Sequence, residues 1–361
     1  MSTIDDLAQL GTATWLDDLS RQRLESGNLE EIIDSKSIVG VTTNPAIFAT
    51  AMSQGTAYDA DIAKLRDAGA DVDSAVYSLA IDDVRNACDL FAEVYTSTQG
   101  RDGRVSIEVD PRISDDADTT LKQARELWQQ VDRPNLLIKI PATTGSLPAI
   151  TDALAEGISV NVTLIFSVER YAEVIDAFKE GVRRAEDNGL DVRSIHSVAS
   201  FFVSRLDTEV DKRLEAIGSD EALALRGKAG VANAQRAYAL FQKELAEAED
   251  VPQGTNPQRP LWASTGVKNP DYPATLYVSE LAGPDTVNTM PESTIDAVLE
   301  SDSLHGDTLS NSADEANETF AALEKVGIDF PDVFAQLERE GVDKFVAAWE
   351  ELLESMAARL K

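Results

Sequence analysis

Cysteine and histidine are scarce in this sequence of 361 residues, which holds one cysteine and two histidines. The lone cysteine, Cys88, cannot form an intramolecular disulfide, and its surroundings, DVRNACDLF, are typical of a helix that buries a small side chain. Two histidines without cysteine pairs exclude the common zinc centres, and the Walker-A and G-x-G-x-x-G patterns are absent. We therefore expect neither a metal nor a cofactor.

The sequence also contains few positively charged residues. Lysine and arginine together number 32 against 64 for aspartate and glutamate, so the formal net charge is −32. Such a surface repels nucleic acid and anionic lipid. No apolar run reaches the roughly 18 residues of a membrane span, and the N-terminus has neither the basic nor the apolar segment of a signal peptide. These absences predict a cytoplasmic protein without nucleic-acid or membrane partners.

Short apolar or β-branched runs alternate with longer stretches of helical period along most of the chain. In one such stretch, Ser167 is placed to cap a helix whose apolar residues step by three and four, and Gly189 is placed to end it. Eight strand-then-helix units favour a closed (β/α)₈ TIM barrel over an open doubly wound sheet. The predicted strands span 12–16, 37–43, 104–109, 135–140, 158–166, 194–202, 260–265 and 285–290.

The chain has no Pro/Ser-rich linker and no fixed repeat, so we predict one barrel domain over residues 1–361. Helical insertions are expected near 45–100 and 203–255, and a C-terminal helical extension from about 312. Apolar residues at helical spacing predict that the last helix packs on the barrel, with a partner interface as the alternative. This stripe is formed by Val342, Phe345, Val346, Trp349, Leu352, Leu353, Met356 and Leu360.

Polar residues interrupt or close nearly every predicted strand at its C-terminal end, which is where β/α barrels build their active sites. Lys139 is the most informative of them, because it lies in the apolar segment LLIKIPA. Apolar surroundings disfavour an ammonium relative to the neutral amine that attacks carbonyls, so Lys139 could form a Schiff base. The alternative is a strand lysine whose stem packs while its head reaches solvent or a carboxylate.

Imine chemistry also needs groups that move protons, and Asp17 and Glu108 are the carboxylates available at strand ends. Their neighbours Asp18 and Asp110 are alternatives. Because successive side chains of a strand point to opposite faces, only one of each neighbouring pair can face the barrel mouth. A structural salt bridge is the other interpretation of each carboxylate.

Asn44 and Asn161 are candidates to hydrogen-bond substrate hydroxyls, although TTNP around Asn44 also makes an ordinary turn. The two histidines are not assigned to a mechanism. His196 lies toward the start of its strand, where a structural role is favoured, and His305 is expected in a loop.

Seven ordered segments resemble the successive motifs of the transaldolase family, over roughly residues 12–290. They read TWLDDLSR, VGVTTNPAIF, VSIEVDPR, LIKIPATTGS, SVNVTLIFS, SVASFFVSRLD and LWASTGVKNP. The remainder of the chain resembles the longer bacterial branch. The resemblance implies a metal-free class I aldolase-type barrel of the non-oxidative pentose phosphate pathway. Such enzymes move a dihydroxyacetone unit from sedoheptulose 7-phosphate to glyceraldehyde 3-phosphate, giving erythrose 4-phosphate and fructose 6-phosphate.

The resemblance also implies roles for individual residues. Lys139 would be the Schiff-base lysine, Asp17 the acid/base at the C4 hydroxyl, and Glu108 the acid/base that acts through a water positioned in part by Thr163. The dihydroxyacetone hydroxyls would be held by Asn44, Asn161 and Ser200, and the phosphate by Arg205, Ser264 and Lys268.

One position departs from the family pattern. Many transaldolases place an arginine shortly after the serine of the seventh motif, whereas STGVKN offers Lys268 two residues later. A phosphate can be held by a point charge as well as by a guanidinium fork, so Lys268 is the expected replacement. We expect sugar-phosphate substrates and a monomer or homodimer.

Two alternative functions stay open. One is a fructose 6-phosphate aldolase of the same superfamily, which releases free dihydroxyacetone; Phe202 and Glu108 resemble the transaldolase pattern at positions where those smaller aldolases usually carry Tyr and Gln. The other is a non-catalytic acidic barrel that binds sugars. The lysine, the two carboxylates and the ordered hydroxyl-binding residues argue against loss of the site.

Overall fold

Eight parallel strands close into a barrel in the computed structural model, which describes residues 2–361. Each strand pairs with the next along the chain, and β8 pairs back with β1, so the predicted (β/α)₈ barrel is confirmed. The strands are β1 Thr12–Leu16, β2 Gly40–Val41, β3 Arg104–Glu108, β4 Leu136–Pro141, β5 Val160–Ile165, β6 Ser197–Phe202, β7 Arg259–Ala263 and β8 Thr286–Met290.

Several strands are shorter than predicted, and β2 is the largest discrepancy. The apolar run 37–43 contains only two strand residues, because Ser37 adopts a left-handed φ of 53° before them and Asn44 begins a helix soon after them. The predicted start of β6 at residue 194 is also wrong. Val192–Ser194 forms a 3₁₀ turn, and the strand begins at Ser197.

Helices follow each strand and surround the barrel, with a short one before β1. They are α1 Thr3–Gln9, α2 Arg21–Glu25, α3 Asn28–Lys36, α4 Pro45–Ser53, α5 Asp59–Asp67, α6 Val72–Leu90, α7 Ala92–Ser97, α8 Ala117–Val131, α9 Leu147–Ala155, α10 Val168–Asp187, α11 Ser204–Ile217, α12 Asp220–Leu223, α13 Ala229–Phe241, α14 Leu276–Ser279, α15 Glu292–Leu299, α16 Ala313–Lys325 and α17 Phe330–Arg359. None of the helices described between residues 2 and 361 combines the length and apolar character that crossing a membrane requires.

Helix α10 shows how local signals set the boundaries of an element. Ser167 Oγ accepts a hydrogen bond from the backbone N–H of Arg170 at 3.1 Å, as an N-cap does. The helix ends at Asp187, and Gly189 then takes the left-handed φ of 79° that glycine adopts without a Cβ clash. The apolar face between these ends is buried, as predicted; it includes Tyr171, Val174, Ile175, Phe178 and Val182.

Helices also occupy the longer intervals between strands. Helices α4 to α7 lie between β2 and β3, helices α11 to α13 lie between β6 and β7, and α16 and α17 follow the barrel. The last helix, α17, buries Phe345, Trp349, Leu352 and Met356, and the Trp349 ring lies 5.0 Å from that of Tyr77 on α6. The predicted packing of this helix on the barrel is confirmed, whereas the assignment of the chain to one domain stays a prediction.

The barrel interior contains an apolar layer below the polar strand ends. It is formed by Trp15, Leu137, Val198, Leu261 and Val287, each at most 3% exposed. Three polar residues each follow a member of this layer by two positions: Asp17 follows Trp15, Lys139 follows Leu137 and Ser200 follows Val198. Because side chains two residues apart share a face, the layer carries the polar residues above it.

Gly40 makes room for the Trp15 ring in this layer. A Cβ at Gly40 would lie 2.7 Å from two atoms of the indole, whose Nε1 is held by a 3.1 Å hydrogen bond to Asp102 Oδ1. We predict that Gly40→Ala lowers the free energy of unfolding by about 1–3 kcal/mol, because a packed core tolerates extra volume poorly.

A double-mutant cycle measured by denaturant unfolding checks the cause. Trp15→Leu should cost less in the Gly40→Ala background than in the wild-type protein, because it removes the clashing ring. Strictly additive costs would show that the two residues do not compete for space.

Candidate active site

A cavity of about 140 Å³ opens at the C-terminal ends of the strands. It brings together residues from six strands or the loops that follow them, Arg205 from the start of α11, and one residue from α17. The predicted site residues that line it are Asp17, Asn44, Lys139, Ser200, Phe202, Arg205, Ser264 and Lys268. The other three predicted residues, Glu108, Asn161 and Thr163, do not line the cavity and are buried on β3 and β5, the strands on either side of β4.

Lys139 lies in the middle of β4 and is 5% exposed. Its Nζ donates a hydrogen bond to the Thr43 carbonyl oxygen at 2.8 Å and lies 3.4 Å from Glu108 Oε2. The register of the barrel produces this pair, since Glu108 is directly opposite Lys139 on β3 and Asn161 is opposite it on β5. A buried amine therefore has a carboxylate beside it and a cavity in front of it.

The Glu108 carboxyl is desolvated but not hydrogen-bonded. Burial raises its pKa to about 7, with the charge of Asp17 acting in the same direction and that of Lys139 opposing it. Neither Glu108 oxygen, nor the hydroxyl of Thr163, has a hydrogen-bond partner within the described part of the chain. Buried polar groups are normally paired, so these atoms are available to a substrate or a water.

Asp17 follows β1 and is half-buried at the cavity. Burial raises the pKa of its carboxyl, while the charge of Lys139 and a 2.7 Å hydrogen bond donated by Thr42 Oγ1 act against the shift. A carboxyl with a raised pKa exchanges protons more readily near neutral pH, which suits an acid/base group.

The neighbouring carboxylates are paired away from the cavity. Alternation separates Asp17 from Asp18 but not Glu108 from Asp110, which are two residues apart; Asp110 lies beyond the end of β3, where it caps the 3₁₀ turn Pro111–Ile113. Asp18 forms an ion pair with Arg23 at 2.7 Å, and Asp110 forms one with Arg112 at 2.6 Å. Of each neighbouring pair, only Asp17 and Glu108 lie beside Lys139.

Hydroxyl and amide groups continue the polar ring. Ser200 Oγ donates to Asn161 Oδ1 at 2.7 Å, and Asn161 Nδ2 donates to Ser106 Oγ at 3.1 Å. Asn44 Oδ1 accepts from the backbone N–H of Ile47 at 3.0 Å and so caps α4. The capping oxygen fixes the Asn44 side chain, and because the residue also lines the cavity, its role in binding substrate hydroxyls stays a prediction.

Two cations reach the rim of the cavity. Arg205 stacks on Phe202, with the guanidinium carbon 5.1 Å from the ring centroid, and its Nη1 is buried without a hydrogen-bond partner among the described residues. Lys268 is exposed. Ser264 takes a left-handed φ of 55° at the end of β7, and its Oγ lies 2.8 Å from Ser204 Oγ. The structure thus brings the three predicted anion-binding residues to one cavity.

Comparison with known proteins agrees with this geometry. Residues 14–356 match the family described as Transaldolase/Fructose-6-phosphate aldolase. The chain belongs to this family.

Its relatives include proteins named transaldolase that are similar over their whole length. One from Mycolicibacterium smegmatis is 59% identical over 357 residues, which cover 98% of this chain and 96% of the relative. Relatives from Mycolicibacterium paratuberculosis and Mycobacterium tuberculosis are each 58% identical over 358 residues, with the same coverage.

The transaldolase-family site contains residues that the sequence analysis did not assign to it. Phe345 of α17 lines the cavity, with its ring centroid 5.7 Å from Lys139 Nζ. The apolar stripe of α17 predicts that Phe345 is buried, but it does not predict that this residue lies over the cavity. Thr42 and Thr289 also line the cavity, and their hydroxyl oxygens are 2.5 Å apart. The signal that identified Lys139, a polar residue near the end of an apolar strand, could also have identified these two threonines.

The histidines and the cysteine lie outside this site. His305 is exposed and pairs with Glu280 at 3.4 Å, and His196 lies toward the opposite end of the barrel. Cys88 is buried in α6, where desolvation raises the pKa of its thiol to about 12. No cluster of three or more His, Cys, Asp or Glu side chains suited to a metal is found in residues 2–361.

The charges around Glu108 predict how its pKa responds to substitution. Lys139→Met removes the positive charge that lowers this pKa and should move it above 7, whereas Asp17→Asn removes a negative charge and should move it below 7. Carbon-13 NMR of protein labelled at the glutamate carboxyl would show the titration, and loss of the signal in Glu108→Gln would assign it. Shifts of the same sign in both variants would contradict the proposed electrostatics.

Proposed function

We propose that this protein is a transaldolase of the non-oxidative pentose phosphate pathway. It transfers a dihydroxyacetone unit from sedoheptulose 7-phosphate or fructose 6-phosphate to glyceraldehyde 3-phosphate or erythrose 4-phosphate. The observation that carries the proposal is the buried Lys139 amine, 3.4 Å from Glu108 and open to a cavity that Asp17 also lines. The full-length similarity to proteins named transaldolase supports it.

The first step is imine formation. The neutral Lys139 amine attacks the ketose carbonyl and the C–N bond forms. The carbonyl oxygen then leaves as water after receiving two protons, one from the attacking nitrogen and one from an acid, and an iminium remains. Glu108, with a pKa of about 7, can give or take a proton near neutral pH. Glu108 Oε1 and the Thr163 hydroxyl, which have no hydrogen-bond partner among the described residues, would hold the water through which that proton moves.

The second step is carbon–carbon cleavage. Asp17 accepts the proton of the C4 hydroxyl as the C3–C4 bond breaks, and the bonding electrons move into the iminium, which becomes an enamine. The aldose product leaves, and the enamine adds to the acceptor aldehyde by the reverse sequence. The hydrogen bond from Thr42 orients the Asp17 carboxylate for both directions.

The remaining polar residues hold the substrate. Asn44, Asn161 and Ser200 bind the dihydroxyacetone hydroxyls, while Phe202 packs beside them. The phosphate lies at the rim with Arg205, Ser264 and Lys268, where the charged side chains bind it more strongly than neutral donors would. The proposal places the enzyme in the cytoplasm as a monomer or homodimer that acts on sugar phosphates, without nucleic-acid or membrane partners and without a metal or cofactor.

Transfer measured with purified protein tests this function. Wild type should convert sedoheptulose 7-phosphate and glyceraldehyde 3-phosphate into fructose 6-phosphate, and it should release free dihydroxyacetone far more slowly. Lys139→Met should lose transfer by more than about a thousandfold, because the covalent route is removed. Lys122→Met, which changes an exposed lysine of α8, is the matched control and should be fully active. Free dihydroxyacetone formed as fast as transfer products would indicate the aldolase instead.

Replacing each of the two carboxylates should slow a different step of the reaction. Asp17→Asn should still react with donor to give an imine that borohydride traps, but cleavage should slow by about 10²–10⁴-fold. Glu108→Gln should instead slow trapping, and the dependence of the trapping rate on pH, with an apparent pKa near 7 in wild type, should disappear. Stopped-time trapping and cleavage assays measure both rates. The same defect at the same step in both variants would contradict this division of roles.

A further inference from the structure

A second cavity, of about 240 Å³, lies at the opposite end of the barrel. Arg104 and Arg259, the first residues of β3 and β7, line it at the N-terminal ends of the strands. Its inner wall includes Trp15 and Leu137 of the apolar layer, so the layer separates it from the active-site cavity. Nothing in the proposed transfer reaction uses this space.

The buried charges around this cavity do not balance. Arg104 and Arg259 are 1% and 6% exposed, and among residues 2–361 the one buried carboxylate that forms an ion pair with either of them is Asp102. Arg259 Nη2 contacts Asp102 Oδ1 at 2.9 Å, and Trp15 Nε1 donates to the same oxygen. At the half-exposed rim, Arg101 and Asp285 neutralise each other at 2.6 Å.

Arg104 is the buried cation that lacks an ion-pair partner among the described residues. Its guanidinium donates to the carbonyl oxygens of Gly100 and Pro134 and stacks over Tyr95, and no carboxylate of residues 2–361 forms an ion pair with it. Burial lowers the pKa of Arg104 to about 10, which still leaves it charged at neutral pH. Carbonyl dipoles solvate this charge but do not neutralise it, and an unneutralised buried charge is costly.

His196 adds no charge to this cavity. Burial and the charges of Arg104, Arg259 and Arg101 lower the pKa of its imidazole to about 3, so the ring is neutral at physiological pH. Its Nε2 lies 3.3 Å from Asn256 Nδ2. The neutral lining groups Thr98, Gln99 and Asn256 add polar atoms without adding negative charge.

We propose that this cavity binds a phosphate group, which supplies the negative charge that Arg104 lacks. Three of the five N–H groups of the Arg104 guanidinium bond to the Gly100 and Pro134 carbonyls, so the phosphate would take the remaining two together with the positive charge. The neutral side chains can hydrogen-bond its other oxygens. In a protein of net charge −32, a buried excess of positive charge draws such an anion inward. The site is independent of the transfer reaction at the other end of the barrel.

Calorimetric titration of the full-length protein with inorganic phosphate tests the proposal. The background variant is Arg205→Gln combined with Lys268→Gln, which removes the proposed phosphate site at the mouth. This background should still bind one phosphate per chain. Adding Arg104→Gln should weaken that binding about tenfold or more, as expected for loss of a charge-assisted interaction. Arg133→Gln, which removes a surface arginine paired with Asp89, is the charge-matched control and should have little effect.

A second pair of variants leaves the buried arginines untouched. Gln99 is exposed and lines the cavity, so Gln99→Glu should weaken phosphate binding and Gln99→Lys should strengthen it. Titration with glycerol 3-phosphate identifies the source of the phosphate. Tighter binding than inorganic phosphate indicates a phosphomonoester, and weaker binding indicates the free ion.

Two results would overturn the proposal. One is the absence of saturable binding in the background variant, which would make Arg104 a purely structural residue. The other is phosphate binding that responds to neither Arg104→Gln nor the charge at position 99. The single variant Arg104→Gln, which keeps Arg205 and Lys268, should retain transfer activity near that of wild type. The test of phosphate binding and the test of transaldolase activity can therefore fail separately.

Discussion

Lys139 and Glu108 place opposite charges 3.4 Å apart on neighbouring strands, in a part of the barrel where both side chains are about 95% buried. Desolvation of such a pair costs several kcal/mol per ion, and the fold must recover that cost locally. The Thr43 carbonyl accepts a hydrogen bond from Lys139 Nζ, and the closed barrel fixes the register that holds the pair together. The same desolvation raises the pKa of Glu108 into the range where a carboxyl can exchange protons.

The C-terminal helix completes this environment. Phe345 places an aromatic ring over Lys139 Nζ, so the amine is covered by a segment far away in the sequence. In the proposed reaction this cover would reduce the access of water to the site and so favour transfer to a second sugar over hydrolysis of the intermediate. The helix that packs on the barrel therefore also lines the cavity at the strand ends.

The sequence predicts the barrel well because strand and helix periods are local signals. The residues alone leave Asp18 and Asp110 open as alternatives to Asp17 and Glu108, and the choice between them rests on the resemblance to the family. Residue types alone could not show that Phe345 reaches the mouth, since the packing of α17 depends on contacts across the whole chain. The same limit applies to Arg104 and Arg259, which belong to different strands and meet only when the barrel closes. The sequence overestimates the length of β2, because an apolar run does not reveal where a left-handed residue such as Ser37 interrupts it.

The central claim is that the buried amine of Lys139 becomes the covalent carrier of the dihydroxyacetone unit. Borohydride reduction in the presence of fructose 6-phosphate, followed by peptide mapping with mass spectrometry, tests it most directly. We expect one reduced dihydroxyacetone unit per chain, attached to Lys139 in the peptide that contains LLIKIPA. A modification on Lys268 or Lys122 with Lys139 untouched would contradict the account.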